Sequence, residues 1–332
     1  MRPEHCLSHF RCPLQALCLL ASCAVCPLPA FAQELEITDL QLLTNGEAAL
    51  MLNAPTGINY RIDATTNLPD WAGLVTLPIS TATSLQHTDS ATPYLAARYY
   101  RAAQLTGSNI VTGDILNTTN GNVVIQPRYH ASFVMQWNGK MIYSDPAPPA
   151  TFTGLPKADL ILITHSHGDH FNTGTINSVT NTNYILIAPQ TVYNSLTAAQ
   201  KANAIVLGYG ASTNVMGLNV QAVYAYNSNH SPLGFGNGYV LTIADKRIYI
   251  SGDTGDAAEL RSLTNIDVAF LCMNYPYTMV AKDATNCIRA MRPKVVYPYH
   301  FQDQSGTRTN AATFKQWLGT DLGIEVRLRK WY

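Results

Sequence analysis

Apolar and polar positions change their period once along the chain. From residue 34 to about 105 they come in short runs such as Ala48-Ala49-Leu50-Met51-Leu52, Asn59-Tyr60-Arg61-Ile62-Asp63 and Arg98-Tyr99-Tyr100-Arg101, split by Pro, Gly, Asn and Asp. A period near two between turn residues predicts half-buried strands, and no helical period survives there. The expectation is a small all-β sandwich domain over 33–106, with Trp71 and Tyr99 as core aromatics. His87 is expected on its surface, and Gly107-Ser108-Asn109 is the expected linker.

From 110 to 332 strand and helix patterns alternate. Ser132-Phe133-Val134-Met135-Gln136-Trp137 and Lys140-Met141-Ile142-Tyr143 flank Asn138-Gly139, a strong hairpin signal. Asp159-Leu160-Ile161-Leu162-Ile163 is a continuous apolar run and predicts a buried strand, and further strands are expected at 184–188, 220–226, 238–244 and 247–250. Helices are expected at 197–204, opened by Thr197, at 257–263, and at 280–291, stopped by Pro293. This is an α/β pattern, two mixed sheets packed between helices.

The strand at 159–163 runs into Thr164-His165-Ser166-His167-Gly168-Asp169-His170. Three imidazoles and a carboxylate in one turn are ligands suited to zinc and its first-row neighbours. His165 and His167 can reach one ion, and Asp169 and His170, beyond Gly168, can face a second. A solvated His-rich loop is the plain alternative.

Composition narrows the partners. With 21 basic and 21 acidic residues the net charge is zero, so no electrostatic footprint for nucleic acid exists. Residues 1–32 read as a targeting segment: Arg2 and Arg11 are basic, 14–28 are apolar, and Ala30-Phe31-Ala32 precedes a cleavage point at Gln33. Leu20-Ala21-Ser22-Cys23 offers a competing cut that leaves a lipidated Cys23, the one route to a membrane. The later cut is preferred because Ala24-Val25-Cys26-Pro27-Leu28 is too apolar for a lipoprotein tether. Either cut places the mature protein outside the cytoplasm, periplasmic or secreted. Of seven Cys only Cys272 and Cys287 follow this segment, which excludes a disulfide scaffold and leaves one bridge open. Cys287 reads as a buried thiol in its helix.

At the His-rich loop the chain resembles the metallo-β-lactamase superfamily, whose mark is His-x-His-x-Asp-His after a strand. The resemblance covers about the last two-thirds of the chain and implies a four-layer αβ/βα sandwich. It implies that His165, His167 and His230 hold one metal, that Asp169, His170 and His300 hold a second, and that Asp253, in Ser251-Gly252-Asp253-Thr254-Gly255, bridges them. Two divalent ions are expected, zinc first and manganese or iron as alternatives, sharing a hydroxide that attacks a carbonyl or phosphorus. In a one-metal enzyme Asp169 would instead serve as acid or base. Of nine His, His5 and His9 lie in the targeting segment and His87 in the sandwich, leaving His130 and the five implied ligands.

His130, in Tyr129-His130-Ala131-Ser132, is similar to a His-x-Ser in the branch with L-ascorbate-6-phosphate lactonase and the N-acyl-phosphatidylethanolamine phospholipases. Asp145-Pro146 after the hairpin and Tyr297-Pro298-Tyr299-His300 are shared with that branch too. His130 is then expected beside the site, either catalytic or a hydrogen-bonded structural residue. The N-terminal stretch around Tyr60, Trp71 and Tyr99 resembles a fibronectin-type-III-like sandwich.

The function expected from these readings is lactone or ester hydrolysis of a neutral or amphipathic small molecule. Asn274 to Met279 and Phe301-Gln302 are the expected pocket walls, while Arg128, Lys282 and Arg308 form no cluster of the kind a phosphodiester calls for. Phosphodiester cleavage ranks second, and a non-catalytic metal-dependent binding protein third.

Overall fold

The structure is a computed structural model that describes residues 9–11, 18–20, 35–53, 55–78, 84–105, 110–308 and 310–332. The expected targeting segment, apart from His9–Arg11 and Cys18–Leu20, which pair antiparallel, and the expected linker at 107–109 lie outside these residues. No helix among the described residues is long and apolar enough to cross a membrane.

The chain divides into two compact units. In the first, Glu36–Leu42, Ala48–Asn53 and Ser84–Asp89 form a three-stranded antiparallel sheet. Asn59–Thr65, flanked by Ala72–Leu77 and Tyr99–Leu105, belongs to another. Ile37, Leu50 and Leu52 from one sheet meet Ile62, Val75 and Tyr100 from the other in a single core. Burying those inward faces is what holds so small a sandwich together. Asp89 is buried as well, but the Arg98 guanidinium at 2.9 Å and the Tyr100 hydroxyl at 3.0 Å satisfy it.

Three expectations change here. Tyr100 rather than Tyr99 is the core aromatic, because alternate residues of a strand face opposite sides. Trp71 is only half buried, with the Arg101 guanidinium 4.6 Å above its ring. His87 is buried rather than on the surface, since it shares the inward face of its strand with Asp89 and lies opposite Leu50. The boundary moves too: Gly113–Leu116 pairs with Ala72–Leu77 and with Val123 to Ile125, so residues through 117, together with 122–125, cluster with the first unit.

In the second unit the hairpin Ser132–Trp137 and Lys140–Ser144 turns at Asn138 and Gly139, both with positive φ, as a two-residue loop requires. Lys140–Ser144 is followed in parallel by Ala158–Leu162, Thr180–Ala188 and Ala204–Val206. A seven-stranded sheet runs Ser212–Val215, Leu218–Val223, Gly238–Ile243, Lys246–Ile250, Val268–Cys272, Val295–Tyr299 and Glu325–Val326, its last four strands parallel. The faces meet through Phe133, stacked on Phe270 at 4.1 Å, and through the Tyr239 hydroxyl, which donates to the Ile163 carbonyl at 2.8 Å. Helices include Thr173–Val179, Ala198–Lys201 with its Thr197–Gln200 capping box, Ala258–Arg261, Ala281–Met291 and Asn310–Leu318. This is the mixed α/β sandwich expected for the family. Cys272 and Cys287 are buried free thiols, so they form no bridge.

Parallel pairing fixes where chemistry can sit. Ser144 aligns with Leu162, Ile250 with Phe270 and Cys272 with Tyr299, so Asp145, the 164–170 loop, Asp253, Asn274 and His300 all leave carboxyl ends of strands. Ligand sites in open α/β sheets form at such ends.

Candidate metal centre

The His-rich loop is pinned before it can bind anything. Asp145, wholly buried, accepts the Thr164 backbone N–H and the Thr164 hydroxyl, each at 2.7 Å, and the Nδ1–H of His170 at 2.8 Å. The Ser132 hydroxyl in turn donates to the Asp145 carbonyl at 2.5 Å. The His-x-Ser and Asp-Pro features of the sequence therefore belong to one brace. Gly252 lets Asp253 approach: its φ is +57°, and a Cβ there would meet the Asn237 carbonyl at 2.9 Å. His230 is aimed by Asn227, whose side-chain oxygen accepts the His230 Nδ1–H at 2.9 Å and its backbone N–H at 3.1 Å.

The eight His and Asp residues named from the sequence as metal-binding or catalytic candidates lie together in the structure. His165, His167 and His230 form one group, His165, His170 and Asp253 another, and His130, Asp169 and His300 a third, the potential ligand atoms of each lying within 4.8 Å of one another. Asp253 Oδ2 lies 3.3 Å from His230 Nε2, while its Oδ1 lies 3.3 Å from His170 Nε2 and 3.5 Å from His300 Nε2. Asp169 Oδ2 is 3.3 Å from the Nε2 atoms of both His300 and His130. The His130 and His300 rings lie with centroids 3.6 Å apart, tilted by 39°, and both residues hold left-handed backbones, with φ of 55° and 46°. Such backbones cost about 1–3 kcal/mol each and gather where a site fixes its side chains.

The electrostatics favour a cation. Burial alone would raise Asp253, but the imidazoles of His300 and His170 outweigh it and hold the carboxyl well below its usual range. Asp169 is likewise held down against burial by His130 and His300. Burial, with its imidazole neighbours, keeps His165 low, and burial together with His300 pushes His130 down to about 4. His170 is the exception: burial opposes its charge, yet Asp253 and Asp145 hold it well above the ordinary value. The fit to a metal shows in the leftover atoms. His170 Nε2, His230 Nε2 and Asp253 Oδ1 are buried without a hydrogen-bond partner and converge on the same space. Orphaned buried polar atoms are rare unless something else satisfies them, and nitrogen and carboxylate oxygen are the donors a first-row divalent ion takes.

Above these groups opens a cavity of about 500 Å³, lined among others by Tyr129, Pro149, Asn274, Tyr277, Gln302 and Asp303. Of the walls expected from sequence, Asn274, Tyr277 and Gln302 line it, whereas Phe301 is buried beneath. Arg128 turns away to the Thr151 carbonyl at 2.8 Å. Three partners went unread in the sequence as site residues: Asp145 as an anchor, Asn227, and Tyr332, whose hydroxyl sits 2.8 Å from His130 Nδ1. Asp145 carried a signal in its Asp-Pro; Tyr332, 202 positions from His130, carried none.

A family profile described as a β-lactamase superfamily domain matches residues 125–300. The chain is 30% identical over 180 residues to a UPF0173 metal-dependent hydrolase of Thermus thermophilus, covering 52% of this chain and 78% of the relative. A solved structure from Parabacteroides distasonis, described as that of a metal-dependent hydrolase, is similar with a TM-score of 0.60 and 35% identity over 65% of this chain and 97% of that one. The metallo-hydrolase Igni18 of Ignicoccus hospitalis shares the fold, with a TM-score of 0.55 and 24% identity over 63% and 95% of the two chains.

Proposed function

Because the chain belongs to the β-lactamase superfamily and is a metal-dependent hydrolase, we propose that it opens a lactone or ester in a neutral or amphipathic small molecule. The observation that carries this reading is the lining of the cavity: Asp303 is its one charged residue beyond the His and Asp groups, and no Lys or Arg is among the lining residues. A phosphodiester leaves an anionic product, and sites for such groups place Arg or Lys against them. An acyl group needs a polarised carbonyl and an uncharged pocket.

In this reading His165, His167 and His230 hold one ion and Asp169, His170 and His300 a second, with Asp253 between them. Divalent ions bound there would polarise the scissile carbonyl and lower the pKa of water toward neutrality. The chain's own work is placement. Asp145 and Asn227 each take an Nδ1–H and so turn the Nε2 of His170 and of His230 toward the site. Asp169, with 43% of its side chain exposed, faces the cavity; with a single ion bound it would instead be free to accept a proton from the attacking water and pass it to the leaving oxygen. Seven ligands exceed one tetrahedral ion, so elemental analysis of the purified protein is expected to return two transition-metal ions per chain, zinc first. One or none after reconstitution overturns the paired centre.

The substrate is tested by turnover of metal-loaded protein on acyl lactones, aryl esters and bis-aryl phosphodiesters. The expected result is faster cleavage of at least one lactone or ester than of every phosphodiester. Arg308, bonded to the lining residue Gln302 at 3.2 Å, favours the phosphodiester as the second reading. A phosphodiester cleaved fastest would establish it. The targeting pattern at 1–32 supports action outside the cytoplasm.

A further inference from the structure

Resting on the metal centre described above, we propose that Tyr332 is a positioning residue that fixes His130 as an Nε2–H donor to Asp169, which sets His130 apart from the metal ligands. The Tyr332 hydroxyl oxygen receives two backbone N–H groups, from Phe301 at 3.0 Å and from Gln302 at 2.9 Å. A phenolic oxygen has two acceptor sites and one proton. Both acceptor sites are filled, so the proton points along the remaining contact, to His130 Nδ1 at 2.8 Å. An N–H at Nδ1 would bring a third donor to the same oxygen. Nδ1 is therefore the acceptor, and the single proton of the imidazole sits on Nε2. Burial raises the phenol far above its ordinary range, which keeps the proton on Tyr332.

Nε2 lies 3.3 Å from Asp169 Oδ2, so that proton is aimed at the carboxylate. The neighbouring imidazoles are sorted the opposite way. His170 gives its Nδ1–H to Asp145, and His230 gives its own to Asn227, which turns each Nε2 inward as the atom a metal would take. Proximity alone groups His130 with Asp169 and His300 as a potential ligand; the hydrogen bonds behind the rings separate it. A nitrogen that carries a proton cannot hold a metal. His130 lines the cavity beside Asp169, where its N–H restrains the carboxylate and stands ready to donate to an oxygen that gains charge.

The test uses full-length protein labelled with 15N-histidine. Long-range 1H–15N spectra report which ring nitrogen carries the proton, and the His130 signals are identified by their loss in His130→Gln. Wild type is expected to show a protonated Nε2 and a bare Nδ1 for His130. Tyr332→Phe is expected to lose that preference and to lower kcat about tenfold, with KM and metal content unchanged. His130→Gln, which keeps an N–H near the Nε2 position, is expected to retain full metal content and more activity than His130→Ala. A bare or metal-bound Nε2 in wild type overturns the inference, as does loss of metal in both His130 variants. Should the protein bind no metal at all, the reading of the centre fails, while the tautomer seen in the same spectra still decides this inference.

Discussion

Asp253→Ala is expected to abolish turnover, by roughly a thousandfold or more, which is about 4 kcal/mol of transition-state stabilisation. No other carboxylate among the described residues approaches imidazoles of all three groups: Oδ2 reaches His230, and Oδ1 reaches His170 and His300, at 3.3–3.5 Å. Losing a single imidazole such as His167, which is solvent-exposed, removes one donor from one group. Losing Asp253 removes the link between them, together with the buried negative charge that offsets bound cations. The variant is therefore expected to lose occupancy at the second ion as well as activity, and more of both than His167→Ala. Asp253→Asn keeps the side chain's volume and gives up its charge, so it separates packing from electrostatics and is expected to behave like the alanine variant. Near-normal kcat with two ions per chain in either variant would remove Asp253 from its assigned place.

Those residues were readable because their signal is local. The run Asp159 to Ile163 ends in a loop whose seven residues carry four potential ligands, and no structural role of a surface turn calls for that composition. His230, Asp253 and His300 followed from the order and spacing of a known pattern, each after a strand. The strands themselves were legible from period, and the Asn138-Gly139 turn from its type. What stayed hidden depends on distance or on parity. The choice between Tyr99 and Tyr100 for the core turns on a one-residue phase, which a short alternating run does not fix. His87 looked like a surface residue because nothing in the sequence reveals which face of its strand pairs inward. The first unit's claim on Gly113–Leu116 rests on pairing with a strand some forty residues earlier.

The same distinction separates the ligands from what aims them. A ligand can be named from residue type and spacing. Its tautomer is set by whichever group lies behind the ring, and here those groups are Asp145, Asn227 and Tyr332, which are 25, 3 and 202 positions from the histidines they touch. Asn227 is close in sequence but gains its meaning only from the tight turn that folds it under His230. The fold and the residues that gather at the site were thus open to reading, while the groups behind the rings were not.

The largest effect on folding is expected at one of these hidden partners. Asp145 is wholly buried, holds a left-handed backbone with φ of 43°, and accepts three hydrogen bonds, two from Thr164 and one from His170. Asp145→Ala leaves the Thr164 backbone N–H and the His170 Nδ1–H without their acceptor in the buried interior, and each orphan costs about 1–3 kcal/mol, so a loss of roughly 2–6 kcal/mol is expected. For a unit of this size that corresponds to a fall in Tm of about 10 °C. Metal affinity is expected to fall about 10- to 100-fold in parallel, because His170 loses the acceptor that turns its Nε2 inward. Asp145→Asn tells the two effects apart. It retains one oxygen and the side chain's shape but cannot accept the Thr164 backbone N–H at one position and the His170 Nδ1–H at the other; with its oxygen kept on the backbone N–H, it is expected to recover part of the stability and little of the metal affinity. Thermal unfolding of metal-free protein gives the first quantity, and zinc titration against a competing chelator gives the second. An Asp145→Asn protein with wild-type zinc affinity would show that His170 is aimed by packing alone.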